Sequence, residues 1–107
     1  MPDPADRRVS ERFAINTDTT CSFISPVLED FGPVRIKNIS MEGIALILSE
    51  RVDPGVLLAI TLSNPAKSFT KTVMVRVVHS QANLGTYLLG GTFTMPLTYQ
   101  ELTTLVM

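Results

Sequence analysis

Three arginines, Arg7, Arg8 and Arg12, crowd the first twelve residues, the last two of them four positions apart. A guanidinium is planar, keeps its charge throughout neutral pH, and offers N–H donors that fit phosphate oxygens two at a time, so this cluster suits anion capture. In an average chain the same pattern is a solvated charged turn. A second cluster, Asn38-Ile39-Ser40-Met41-Glu42-Gly43, places a carboxamide, a hydroxyl and a permissive glycine in one short connection. Alone it reads as an Asx or serine turn in which Gly43 serves the backbone. Taken together, the two clusters complement each other. The arginines can neutralise phosphates, while the amide and hydroxyl exchange hydrogen bonds with the edge of a nucleobase.

No other group points to chemistry as clearly. His79 is the only histidine, and its place after Val77-Val78 reads as a partly exposed strand end, with packing or a polar contact against a ligand as the alternative. Cys21 is the only cysteine, so no intrachain disulfide and no zinc site built on paired thiolates can form. No serine or cysteine has a base and orienting acid at a recognisable spacing, and no carboxylate pair is set for acid–base work. The expectation is a binding module with no catalytic residues, no metal and no cofactor.

The elements that must hold these residues are strands. Phe13 and Ile15, then Cys21 and Phe23, keep a two-residue spacing and suggest a first strand with an irregular middle at Asn16 to Thr19. Phe31-Gly32-Pro33 is turn material. After it Val34, Ile36 and, on the same period, Asn38 share one face, with Arg35 and Lys37 on the other. Asn38 to Gly43 connects to a buried strand, Ile44 to Leu48, and Asp53-Pro54-Gly55 precedes another at Val56 to Leu62. Thr70 to His79 alternates most clearly, with Val73, Val75 and Val77 opposite Thr72, Met74, Arg76 and Val78. Gln81 to Gly85 turns the chain into Thr86 to Thr94, where Tyr87, Leu89 and Phe93 share a face and Gly90-Gly91 permits a bend or bulge. A short helix closes the chain, with Thr98 as N-cap, Glu101 completing a capping box, and Leu97 and Leu102 at hydrophobic-staple spacing.

Five or six short strands followed by a helix give an all-β domain, and curling the sheet into a small antiparallel barrel would remove its edges. At 107 residues, 45% hydrophobic and 18% charged, the chain has room for one core and is too apolar to stay disordered. Its first twelve residues are polar and proline-containing, which predicts an extended arm over 1–12 and a folded domain over 13–107. They hold no apolar signal-peptide segment, and no run reaches a membrane span, so the expected location is cytoplasmic with no membrane insertion. A net charge of −1 disfavours duplex DNA. Single-stranded nucleic acid would need aromatic platforms where the strands carry Val, Leu and Thr.

The chain resembles the PilZ family, whose members join an RxxxR element to a D/NxSxxG element. Arg8-Val9-Ser10-Glu11-Arg12 matches the first, Arg7 extends it to the doubled-arginine form, and Asn38-Ile39-Ser40-Met41-Glu42-Gly43 matches the second. The order of elements agrees along nearly the whole chain. The resemblance implies a six-stranded antiparallel β-barrel with a short C-terminal helix that binds cyclic di-GMP, the arginine arm wrapping the ligand against the barrel. Arg8 and Arg12 would grip phosphates and guanine edges, and Arg7 would contact a second ligand molecule, giving two per chain. Asn38 and Ser40 would meet guanine or phosphate, and Gly43 would keep the approach open. Asn38 stands where many members carry Asp, and an amide oxygen meets a guanine edge less symmetrically than a carboxylate. With no catalytic, membrane or DNA-binding module in the sequence, the implied role is a stand-alone receptor or adaptor that signals through an unidentified protein. The competing reading is a PilZ-like protein interaction domain that uses no nucleotide.

Overall fold

The structure, a computed structural model, describes residues 11–24 and 34–107. Among them six strands and one α-helix run β1 (Thr20–Phe23), β2 (Arg35–Ile39), β3 (Gly43–Leu48), β4 (Leu57–Asn64), β5 (Phe69–Asn83), β6 (Thr86–Phe93) and α1 (Tyr99–Val106), with a 3-10 turn at Pro65–Lys67 between β4 and β5. The strands form one sheet in the order β1-β4-β5-β6-β3-β2, with every ladder antiparallel. It curls into a half-barrel. The edge strands β1 and β2 come near one another, but no ladder joins them. The turn material at Phe31-Gly32-Pro33 lies outside the described residues.

Alternation explains the core. Val73, Val75 and Val77 of β5 are buried, whereas Met74, Arg76 and Val78 are exposed. Ile44, Leu46 and Leu48 of β3, Leu58, Ile60 and Leu62 of β4, and Leu89 and Phe93 of β6 fill the same interior. Each such side chain fully removed from water contributes about 1.5–3 kcal/mol, so the inner face dominates the stability of the domain.

The helix starts where its cap dictates. Thr98 Oγ1 accepts from the Glu101 N–H at 3.1 Å, and the Glu101 carboxylate accepts from the Thr98 N–H at 2.8 Å. Eight residues would be marginal in isolation, so docking supplies the stability. Leu97, Leu102 and Leu105 are buried in the hydrophobic core. Lys71 of β5 reaches Glu101 at 2.6 Å.

Three expectations change. Phe13 and β1 are not one strand with a bulged middle. Asn16 to Thr19 makes a full turn, with the Thr19 N–H donating to the Asn16 carbonyl, so Phe13 bridges to Ile39 of β2 whereas β1 pairs with β4. Strand β5 does not end at His79 but runs on to Asn83, and the reversal is only Leu84-Gly85. Both turn residues have positive φ, 48° and 86°, the twist that a two-residue hairpin needs. Finally, Asn38 does not share the inner face of Ile36. The β2/β3 register jumps from Ile36 opposite Leu46 to Asn38 opposite Ala45, leaving Lys37 as an extra residue, and this bulge turns Asn38 outward.

Candidate functional site

The outer face of the sheet gathers the polar residues through two bulges. Lys37 is the extra residue in β2, and in β5 the register jumps from Val77 opposite Gly91 to His79 opposite Gly90, leaving Val78 unpaired. Strict alternation from Val77 would turn His79 outward only if Val78 did not count. The bulge has that effect. In consequence Asn38 faces Ala45, Ala45 faces Gly90, and Gly90 faces His79, a single row across β2, β3, β6 and β5. With strands about 4.8 Å apart, this row spans about 14 Å of sheet. Its two middle positions carry the smallest side chains, so the row forms a trough between Asn38 and His79.

Arg12 reaches over one end of the trough. Its Nη1 donates to Asn38 Oδ1 at 2.9 Å, which joins the arginine element to the Asn-Ser-Gly element. The reach is fixed from behind. Phe13 exchanges two backbone hydrogen bonds with Ile39, 2.8 and 2.9 Å, so the chain is anchored to β2 directly after Arg12. A few residues on, the Asn16 N–H and the Thr19 hydroxyl both donate to the Leu105 carbonyl and tie the segment to α1. Arg12, Lys37, Asn38, His79 and Leu88 border a depression of about 210 Å³ over Ala45 and Gly90.

Ser40 and Gly43 act beneath this surface. The Ser40 N–H donates to the Gly43 carbonyl at 2.9 Å, and the Ser40 hydroxyl accepts from the Gly43 N–H at 3.1 Å. At 3% exposure Ser40 is enclosed in the turn between β2 and β3. A Cβ on Gly43 would fall 2.5 Å from the Gly91 carbonyl oxygen and 3.6 Å from Arg12 Nη2. Only glycine lets β3 approach β6 here while the guanidinium passes above. Arg7 and Arg8 lie outside the described residues.

Of the expected site residues, the structure therefore brings Arg12 and Asn38 into contact and sets Ser40 and Gly43 as their support. Reading the sequence missed Lys37, Ala45, Leu88 and Gly90, and it left His79 between a strand end and a ligand contact. The doubled valine before His79 was the available sign of a bulge, and Gly90-Gly91 the sign of a close approach.

Other features offer less for an anion. A larger depression of about 320 Å³ lies between Phe13 and the helix residues Tyr99, Leu102 and Val106, and no charged side chain borders it. Burial pushes the Cys21 thiol up to about 12, so it stays protonated and is a poor nucleophile at neutral pH. Among the described residues no group of His, Cys, Asp and Glu is arranged to hold a metal ion. No helix among them is long and apolar enough to cross a membrane.

Compared with known families, the chain matches the PilZ domain over residues 6–107, which takes in Arg7, Arg8 and the whole described fold. No curated protein matches it closely enough to count as a relative.

Proposed function

This chain belongs to the PilZ domain family, and on that premise we propose that it is a cyclic di-GMP receptor acting as an adaptor in the cytoplasm. PilZ domains are in general non-catalytic adaptor modules that bind this second messenger. The observation that carries the proposal for this chain is the hydrogen bond from Arg12 to Asn38 at the rim of an outer-face depression. It sets a charged donor group and an amide side by side, the pair that a nucleotide's phosphate and base edge require.

A pocket for a whole small-molecule ligand usually has about 300 Å³ or more. The depression has about 210 Å³, so it suits one base with its sugar rather than a complete cyclic dinucleotide. The rest of the ligand would lie on the sheet under the arm, residues 1–12, with Arg8 joining Arg12 on the phosphates. Arg7 would serve a second ligand molecule stacked on the first, two per chain. In this reading Ser40 and Gly43 hold the turn that presents Asn38, and the signal passes to a partner protein when the arm closes.

Titration calorimetry with cyclic di-GMP is the test, beside GTP and the linear dinucleotide as controls. The expected result is a saturating isotherm for the cyclic ligand alone, with about two molecules per chain. One molecule per chain, unaltered by Arg7→Ala, would remove the second-ligand role while leaving the receptor. A folded protein that gives no isotherm would instead be an interaction domain that uses no nucleotide.

A further inference from the structure

The β5–β6 hairpin outruns the rest of the sheet. Strand β4 pairs with β5 only as far as Leu57 opposite Arg76, and backbone hydrogen bonds with Gly55 and Val56 cover Val77. From His79 to Asn83 one side of β5 is paired with β6, and among the described residues no strand lies along the other. Counted back from the two-residue turn, Asn83, Gln81 and His79 direct their backbone groups to β6, so the N–H and C=O of Ser80 and Ala82 point to the open side. Folded proteins commonly guard such an edge with charge or proline. This one has neither. No Lys, Arg, Asp or Glu occurs between Arg76 and Glu101, and Gln81, Ala82 and Asn83 are exposed. The tip adds a second oddity. Leu84 has a φ of 48° and is 99% exposed, at a turn position where Asn, Asp or Gly fits best. A leucine there costs the free chain both backbone strain and an apolar side chain left in water.

We infer that this edge pairs with a second copy of the chain, β5 to β5, about a two-fold axis through Gln81. The antiparallel register that pairs all five residues sets His79 opposite Asn83 of the other copy, Ser80 opposite Ala82, and Gln81 opposite itself. Ser80 and Ala82 are the residues whose backbone groups point outward, so the register also joins donors to acceptors. It brings Leu84 of each copy to the bulge residue Val78 of the other, beside Val56, and both valines are exposed. An uncharged edge lets identical strands meet without like-charge repulsion, and a two-fold interface needs that self-complementarity. A ladder of five residues is about 17 Å long. That falls short of the roughly 1,200 Å² of a standard interface, so the pairing is reversible and depends on concentration. It needs no nucleotide and stands apart from the receptor reading.

Sedimentation velocity on the full chain, from about 10 μM to about 1 mM, compares the parent with Gln81→Lys, Gln81→Glu and Leu84→Asn, each checked by urea unfolding. The parent should shift from monomer to dimer as concentration rises. Gln81→Lys and Gln81→Glu should each stay monomeric, because the new charge faces its own copy, and an equimolar mixture of the two should regain the dimer. Leu84→Asn should raise the urea midpoint by relieving the turn, yet weaken dimerisation about tenfold by removing the buried leucine. A parent that stays monomeric up to 1 mM overturns the proposal. So do folded Gln81 variants that dimerise like the parent, which would place the contact elsewhere, or a mixture that stays monomeric, which would exclude the two-fold register.

Discussion

Arg12 Nη1 and Asn38 Oδ1 lie 2.9 Å apart although 26 residues separate them, so the amide seats the guanidinium at the rim of the trough without ligand. The contact is exposed, and a single hydrogen bond there adds little to stability. Its consequence is positional, because the guanidinium is set among the other bordering groups before an anion arrives.

That seat predicts how binding and folding separate. Arg12→Ala, and likewise Arg8→Ala, should weaken cyclic di-GMP binding by about one to two orders of magnitude, since a charge-assisted bond contributes roughly 1.5–3 kcal/mol. Urea unfolding of Arg12→Ala should change by about 0.5 kcal/mol or less. Val75 is fully buried, and Val75→Asp should do the opposite, losing several kcal/mol of stability because a carboxylate would enter the core without a partner. Calorimetry beside urea unfolding reads both, and an Arg12→Ala protein that binds like the parent would show that this is not the site.

Asn38→Asp tests the amide itself. A carboxylate would pair with Arg12 as an ion and could accept two hydrogen bonds from a guanine edge. Binding should tighten several-fold, about 1 kcal/mol, while Asn38→Ala should weaken it by a similar amount. An Asn38→Asp protein with lower affinity would mean that repulsion from the ligand's phosphates outweighs the new bonds.

Gly43 is limited by backbone rather than by a side chain. Gly43→Ala would push a methyl against the Gly91 carbonyl, 2.5 Å away on a paired strand that cannot swing aside as a side chain would. The expected cost is about 1–3 kcal/mol, read as a lower urea midpoint. Ligand affinity should fall with it as β3 and β6 separate under Arg12. An unchanged midpoint would show that the strands part there without strain.

The arm prediction concerns access. If the arm closes over the ligand, trypsin should cut after Arg7 or Arg8 in the free protein, and saturating cyclic di-GMP should slow those cuts. Equal rates with and without ligand would count against a wrapping arm.

Acid should loosen the helix through Glu101. The hydrogen bond from Lys71, followed by that from the Thr98 N–H, holds the Glu101 carboxyl below the usual carboxylate range. The folded value lies below the unfolded one, near 4.3, so the charged cap contributes fully above that pH and is lost as pH falls through the folded value. Glu101→Gln should be less stable than the parent at pH 7 by on the order of 1 kcal/mol, the pair being partly exposed. Urea midpoints measured down the pH scale should converge once the pH is below the folded value. A constant gap would place the contribution in packing rather than charge.

Much of this domain is legible locally. The valine alternation of β5, the capping box of α1 and the buried run of β3 follow from the side chains within each element, because period and cap chemistry act over a few residues. The two binding elements are also local, since residue type and spacing set which hydrogen bonds each can make. Faces are another matter. One unpaired residue in a ladder reverses every side chain beyond it, and nothing in a single strand reveals the register of its partner. Lys37 and Val78 are such residues. Thus the chain by itself determined an all-β domain with an arginine element and an Asn-Ser-Gly turn. Only the tertiary structure decided that Asn38 and His79 look outward along one row, and that Arg12 reaches the first of them, because pairing four strands across the fold sets which residues count and which bulge.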